Sequence, residues 1–173
     1  MDLPLIAEGY CLRDFRIGDR LSLVRHANDP SVARWLRERF PSPYTGDDAT
    51  LWIRRSLAEK PRRNFAIAYG DTAIGGIGLE AEKDVYRHSA ELGYWLGKEY
   101  WGLGVATAAV SRMCEYAFRD LDLIRVHAGV FSPNVGSARV LEKAGFHYEG
   151  TKRGGVLKNG ELMDELLYAK LRE

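Results

Sequence analysis

Cysteine and histidine are scarce in this chain of 173 residues, which has two of the first and four of the second. Cys11 and Cys114 stand far apart, without metal-ligand or redox spacing, so two buried thiols are expected rather than a disulfide framework. His26, His88, His127 and His147 form no H-x-x-H-like pair, and no metal is expected. No run of some eighteen apolar residues is present, which excludes a helical membrane span. The opening "MDLPLIAEGYC" has no basic segment followed by an apolar core, so it does not read as a secretory signal. Excess charge of one sign is missing too. With 25 basic and 24 acidic side chains, the net charge of +1 gives no reason to expect nucleic-acid binding. A cytoplasmic protein is the expectation.

What is present is a chain that is 46% hydrophobic and 28% charged, long enough to bury one proper core, so a single domain over residues 1–173 is expected. "YCLRDF" (Tyr10–Phe15) alternates apolar and polar residues as a half-buried strand does. Asp19 is placed to cap a helix running to His26, and Asp29 or Ser31 to cap a second, short one. A turn then leads into an amphipathic helix with Ala49, Trp52, Ile53 and Leu57 along one side. Strands are expected at Asn64–Tyr69 and Thr72–Glu82 around a Gly70-Asp71 turn, and again in "HSAELGYWLG". Helical spacing of Ala106, Ala109, Val110, Met113, Tyr116 and Ala117 carries through to Phe118. A strand at Ile124–Phe131 follows, then a helix capped by Asn134 and stopped by Gly145. "HYEGTKR" and "LMDELLYAKL" read as two closing strands around the turn "KNG". Strands with helices between them define an α/β (α+β) domain with a mixed sheet.

The most informative stretch is "KEYWGLGVATAAV", Lys98–Val110. A strand that ends in a glycine turn and opens a helix makes an anion site, because N–H groups of the first helical turn point outward and the helix dipole favours negative charge. Three phosphate ligands compete. No G-x-x-x-x-G-K-[ST] string exists, which removes a P-loop. A dinucleotide fold needs G-x-G-x-x-G/A opening a βαβ unit. Here Thr107 takes the third glycine place, Asp122 falls before the next strand, and several strands precede the turn. Coenzyme A is the third.

"AELGYWLGKEYWGLGVATAAV" resembles motif A of the GNAT acetyltransferase superfamily, with its Q/R-x-x-G-x-G/A pyrophosphate loop. Trp101 takes the Q/R place, a departure from the general pattern; Gly104 takes the first glycine and Ala106 the G/A position. "YWGxGxAT" is similar to the branch that includes ribosomal-protein N-terminal alanine and serine acetyltransferases. "NVGSARVLEKAGF" (Asn134–Phe146) resembles that branch's N-x-x-S-x-x-V-L-E-K-x-G-F. The opening "LRDF…GD", "PYTGDDATLWI" and "MDELLYAKL" extend the likeness over nearly the whole chain.

The resemblance implies a GNAT-like fold, a central twisted mixed β-sheet flanked by α-helices, with acetyl-CoA as donor and an amine as acceptor. It implies a pyrophosphate contact at Trp101, Gly102, Leu103, Gly104, Val105, Ala106 and Thr107, mostly through main-chain N–H. Trp95 and Leu96 belong to the strand whose backbone meets the pantetheine arm. Asn134 either reaches that arm or caps a helix, and the two are compatible. Ser137 would meet the thiolate leaving group, or be a satisfied polar residue at a helix start. Glu91 is the leading base, with a salt bridge as the equal alternative and His88 and Asp164 in reserve. Lys143 could pair with a cofactor phosphate or be a solvated lysine. Arg34, Arg37 and Arg39, with Trp35 and Phe40, lie where this family walls its acceptor cleft; they would attract an acidic acceptor or simply solubilise a short helix. No nucleophilic Ser-His-Asp or Cys-His order is apparent, which fits direct transfer without an acyl-enzyme. The expected acceptor is a protein N-terminal α-amine. A polyamine, an aminoglycoside, an amino-acid derivative, or a non-catalytic acyl-CoA sensor are the alternatives, and a homodimer is left open.

Overall fold

The sheet begins with the strands the sequence predicts and adds one it does not. The computed structural model describes residues 2–4 and 9–173. Among them run β1 (Asp2–Pro4), β2 (Tyr10–Arg13), α1 (Arg20–Ala27), α2 (Pro30–Ala33), α3 (Gly46–Ala58), β3 (Asn64–Tyr69) and β4 (Thr72–Ala81). Then follow β5 (Ser89–Leu96), α4 (Val105–Asp120), β6 (Arg125–Phe131), α5 (Val135–Lys143), β7 (His147–Lys158) and β8 (Glu161–Leu171). The strands form one eight-stranded sheet in the order β1-β2-β3-β4-β5-β6-β8-β7. Within it β5 and β6 pair in parallel, while the other neighbours are antiparallel. The mixed α/β architecture is therefore as expected. β1, three residues against β2, carried no periodic signal.

Each sheet face buries its own core. One face packs Ile77, Leu79, Leu92, Val126 and Val130 under α4 and α5, which contribute Val110, Met113 and Leu141. The other packs Phe15, Ala66 and Ala73 under Leu23 of α1 and Ala49 and Ile53 of α3. Apolar burial of this kind contributes about 25 cal/mol per Å².

Local chemistry sets the boundaries. Asp29, rather than Ser31, caps α2, its carboxylate accepting from Ser31 N at 2.7 Å. Thr45 and Asp48 form a reciprocal capping box at the start of α3. Asp19 precedes α1 as expected but does not cap it with its side chain. Its carboxylate is buried and accepts from both terminal nitrogens of Arg13, at 2.8 and 2.7 Å, and from Arg16 N. That pair ties β2 to the helix entrance. Gly145, at φ +85°, stops α5. Asn159 and Gly160, both at positive φ, make the β7–β8 turn. β7 runs past Arg153 to Lys158 because a bulge between Lys152 and Val156 absorbs Gly154 and Gly155. Cys114 is buried, whereas Cys11 is only half-buried, which corrects half of the two-buried-thiols expectation.

Candidate active site

The site begins where the sheet comes apart. β5 pairs with β6 only at Ser89–Glu91, against Arg125–His127. Beyond that point Leu92–Leu96 and Ala128–Phe131 diverge, and both segments line a cleft of about 1230 Å³. Its other walls include the glycine turn and first turn of α4, the start of α5, residues of α3 and β4, and the segment Trp35–Phe40 that follows α2.

At one end lies the glycine turn. Gly102 and Gly104 adopt φ +77° and +78°, a left-handed backbone that glycine enters without penalty. The first bond of α4 joins Ala108 N to Gly104 O, so the N–H groups of the preceding helical residues are free of that ladder. A Cβ built at Gly102 or Gly104 would meet nothing within 4 Å. The turn thus presents an open concavity of main-chain donors, the shape and polarity a pyrophosphate needs. Trp101 lines the cleft, and its indole N–H donates to Leu96 O at 2.7 Å. The indole thereby fastens the turn to the end of β5. Gly102, Gly104, Val105, Ala106 and Thr107 also line the cleft, while the Leu103 side chain faces solvent. Only Leu103's backbone can serve a ligand there.

In the middle, Trp95 and Leu96 line the cleft from β5 and Asn134 and Ser137 from α5. Asn134 does cap α5, its side-chain oxygen accepting from Ser137 N at 3.2 Å. Ser137 Oγ lies 2.7 Å from Tyr94 Oη. Burial pushes the Tyr94 phenol up to about 12, against the smaller opposing effect of the Ser137 hydrogen bond. Lys143 and Arg139 line the α5 side.

At the far end, Glu91 of β5 meets Arg37, whose Nη1 donates at 3.0 Å and whose Nη2 makes a second, shorter bond. Glu80, directly opposite Glu91 across the β4–β5 ladder, accepts from Arg39 at 2.8 Å, and that bond holds its carboxyl below the usual range. Lys158 of β7 donates to Ala33 O at 2.9 Å and to Leu36 O. Three polar ties thus hold the Trp35–Phe40 segment over the sheet. Phe40 stacks on Tyr44 and meets Trp95 edge-on, giving the wall an apolar lining. The reserve bases lie elsewhere. His88 Nδ1 sits 3.1 Å from Asp122 O, and Asp164 accepts from Gly154 N at 2.7 Å, bracing the β7 bulge. Neither lines the cleft.

Two residues escaped the sequence reading. Tyr94 alternates with Leu92 and Leu96 and so reads as core. Glu165 is buried on β8, paired with Lys152 at 2.9 Å, and reaches over Gly129, where a Cβ would lie 2.3 Å from its Oε1. The bare glycine in "HAGVF" is the one signal that could have pointed to it. No group of His, Cys, Asp and Glu able to hold a metal occurs among the described residues. No described helix is long and apolar enough to cross a membrane.

An open sheet split between two parallel strands, with a glycine turn and a helix start at the split, makes a site for an extended, phosphate-bearing ligand. Residues 10–147 match the acetyltransferase (GNAT) domain family, and the chain belongs to that family. YjcK of Bacillus subtilis (strain 168), provisionally assigned as an N-acetyltransferase, is 43% identical over 104 residues, covering 60% of this chain and 58% of its own. YdaF of the same organism, provisionally assigned as a ribosomal N-acetyltransferase, is 36% identical over 158 residues, or 89% of this chain and 85% of its own. Mycobacterium smegmatis RimJ, solved in complex with CoA-disulfide, superposes with a TM-score of 0.83 at 25% identity, covering 99% of this chain and 86% of that one. The chain is a GNAT-type N-acetyltransferase.

Proposed function

We propose that this enzyme moves an acetyl group from acetyl-CoA directly to a protein N-terminal α-amine. The observation that carries the reading is the continuity of one cleft, from the glycine turn through the β5–β6 split to the Trp35–Phe40 wall. Donor and acceptor can then meet without a covalent enzyme intermediate. The likeness to YdaF, provisionally assigned to a ribosomal acceptor, favours a protein N-terminus over a small amine.

In this reading the backbone of Gly102–Thr107 holds the pyrophosphate and the β5 backbone at Trp95 and Leu96 holds the pantetheine arm. Acetyl-CoA supplies the thioester carbonyl that the acceptor nitrogen attacks. Glu91 receives the proton that the acceptor ammonium must lose, directly or through a water. Ser137 donates a hydrogen bond to the departing sulfur as the carbon–sulfur bond breaks. Asn134 holds the α5 start on which Ser137 sits. Two cysteines far apart in sequence, without metal or redox spacing, suit a reducing, cytoplasmic setting.

The test is CoA release from acetyl-CoA across a panel of amines. Peptides with free alanine, serine or methionine N-termini should be acetylated, and the same peptides with blocked N-termini and an internal lysine should not. Turnover confined to polyamines, aminoglycosides or free amino acids would move the acceptor to small molecules. Acetyl-CoA binding with no release on any amine would make the protein a sensor.

A further inference from the structure

The Tyr94–Ser137 contact is explained neither by the helix cap nor by the sheet. Ser137 N already serves the cap through Asn134, and the Tyr94 backbone already pairs with Ile77 on β4. Yet the phenol leaves β5 where that strand parts from β6, crosses to α5, and stops 2.7 Å from Ser137 Oγ and 3.3 Å from Ser137 O. We propose that Tyr94 is a positioning residue for the acetyl transfer, donating its phenolic hydrogen to Ser137 Oγ so that the serine's own hydrogen points into the cleft. The inference rests on the reading above that Ser137 faces the departing sulfur.

A serine hydroxyl carries one hydrogen and two lone pairs, and it rotates freely unless a neighbour fixes it. A phenol is the stronger acid of the two, so in a phenol–alcohol pair it is the better donor. The 2.7 Å contact to Oγ is also much shorter than the 3.3 Å contact to the carbonyl, so the hydroxyl oxygen is the principal acceptor. Burial keeps the phenol protonated across the working pH range, so the donor role does not titrate away. With one lone pair of Oγ occupied, the serine hydrogen is free to turn toward charge that develops on sulfur. The two aligned hydrogen bonds polarise each other, which strengthens the outer one as the sulfur becomes negative. No proton leaves Tyr94 in this arrangement. Its contribution exists only while the carbon–sulfur bond breaks, so it belongs to kcat rather than to donor affinity.

Steady-state kinetics on Tyr94→Phe, Ser137→Ala and the double variant, with the best acceptor from the amine panel, test this. Removing one such hydrogen bond should lower kcat about 3- to 10-fold in Tyr94→Phe. KM for acetyl-CoA should stay within about twofold, and Ser137→Ala should be slower still. The double variant should match Ser137→Ala, because Tyr94 acts only through the serine. A phenol that merely packed would lower the melting temperature without producing that non-additivity. Wild-type kcat in Tyr94→Phe, or effects that multiply in the double variant, would overturn the proposal while leaving the Ser137 reading intact. Wild-type kcat in Ser137→Ala would overturn both. A raised kcat in Tyr94→Phe would show the reverse polarity, with the phenol accepting the serine's hydrogen.

Discussion

Arg37 closes on Glu91 across the mouth of the cleft, so the carboxylate read as the base already holds a cation. The guanidinium occupies lone pairs that an acceptor ammonium needs. The Arg37 side chain is 44% exposed and that of Glu91 24%, an ion pair of the modest kind worth up to about 1 kcal/mol. Arg37→Ala should therefore leave folding nearly unchanged and lower KM for a cationic acceptor by up to about fivefold. Glu91→Gln should instead depress kcat, most at low pH, and recover as the amine deprotonates unaided. A rise in acceptor KM in Arg37→Ala would assign that arginine to acceptor binding.

The glycine turn makes a separable prediction. Gly104 combines a left-handed φ of +78° with open space at its Cβ position. Gly104→Val should strain the backbone by at least about 1–2 kcal/mol and place a branched side chain where the pyrophosphate is read to bind. Calorimetry should show at least a tenfold loss of CoA affinity at matched circular dichroism. Equal affinities would put the pyrophosphate elsewhere.

How far the sequence went depends on whether a contact is local. β3, β4, α4 and α5 were legible because periodicity, a Gly-Asp turn and the Asn134 cap are written within a few residues of where they act. The phosphate turn was legible for the same reason. The Arg37–Glu91 pair joins residues 54 positions apart, on a segment that Lys158 and Arg39 also tie to distant strands. Sequence could offer Glu91 as base or salt bridge; the structure shows the salt bridge. Tyr94 was hidden by its alternation with Leu92 and Leu96, since an apolar rhythm says which face a ring takes and not what its hydroxyl reaches. β1 was too short to show any rhythm.

The two thiols should differ in reactivity. Burial raises the Cys114 thiol to about 12, so almost no thiolate forms at pH 8, while Cys11 is half-buried. Alkylation at pH 8, read by mass spectrometry, should leave Cys114 unmodified in the folded protein and label it fully in denaturant. Rapid labelling of Cys114 under native conditions would mean that α4 opens readily.

Acid should loosen the floor of the glycine turn through His26. This residue sits in α1, 6% exposed, with its ring edge-on to Tyr100 at 5.6 Å and its Nδ1 against Gly97, where a Cβ would lie 2.7 Å away. Burial lowers its pKa below the ordinary 6.5, outweighing the pull of Glu99, with Arg25 adding a little in the same direction as burial. The unfolded chain therefore binds more protons than the folded one between the lowered value and 6.5. The stability that comes from keeping His26 neutral is complete above pH 6.5 and is lost as pH falls through the folded value. Carboxylates titrate in part of the same range, so the informative quantity is the difference between wild type and His26→Gln. From pH 7.5 to 5, the wild-type melting temperature should fall more steeply than that of the variant. CoA affinity should fall with it, because Gly97 leads directly into the turn that ends at Gly104. Parallel pH profiles for the two proteins would show that His26 titrates as freely folded as unfolded, and would remove it as a support of the turn.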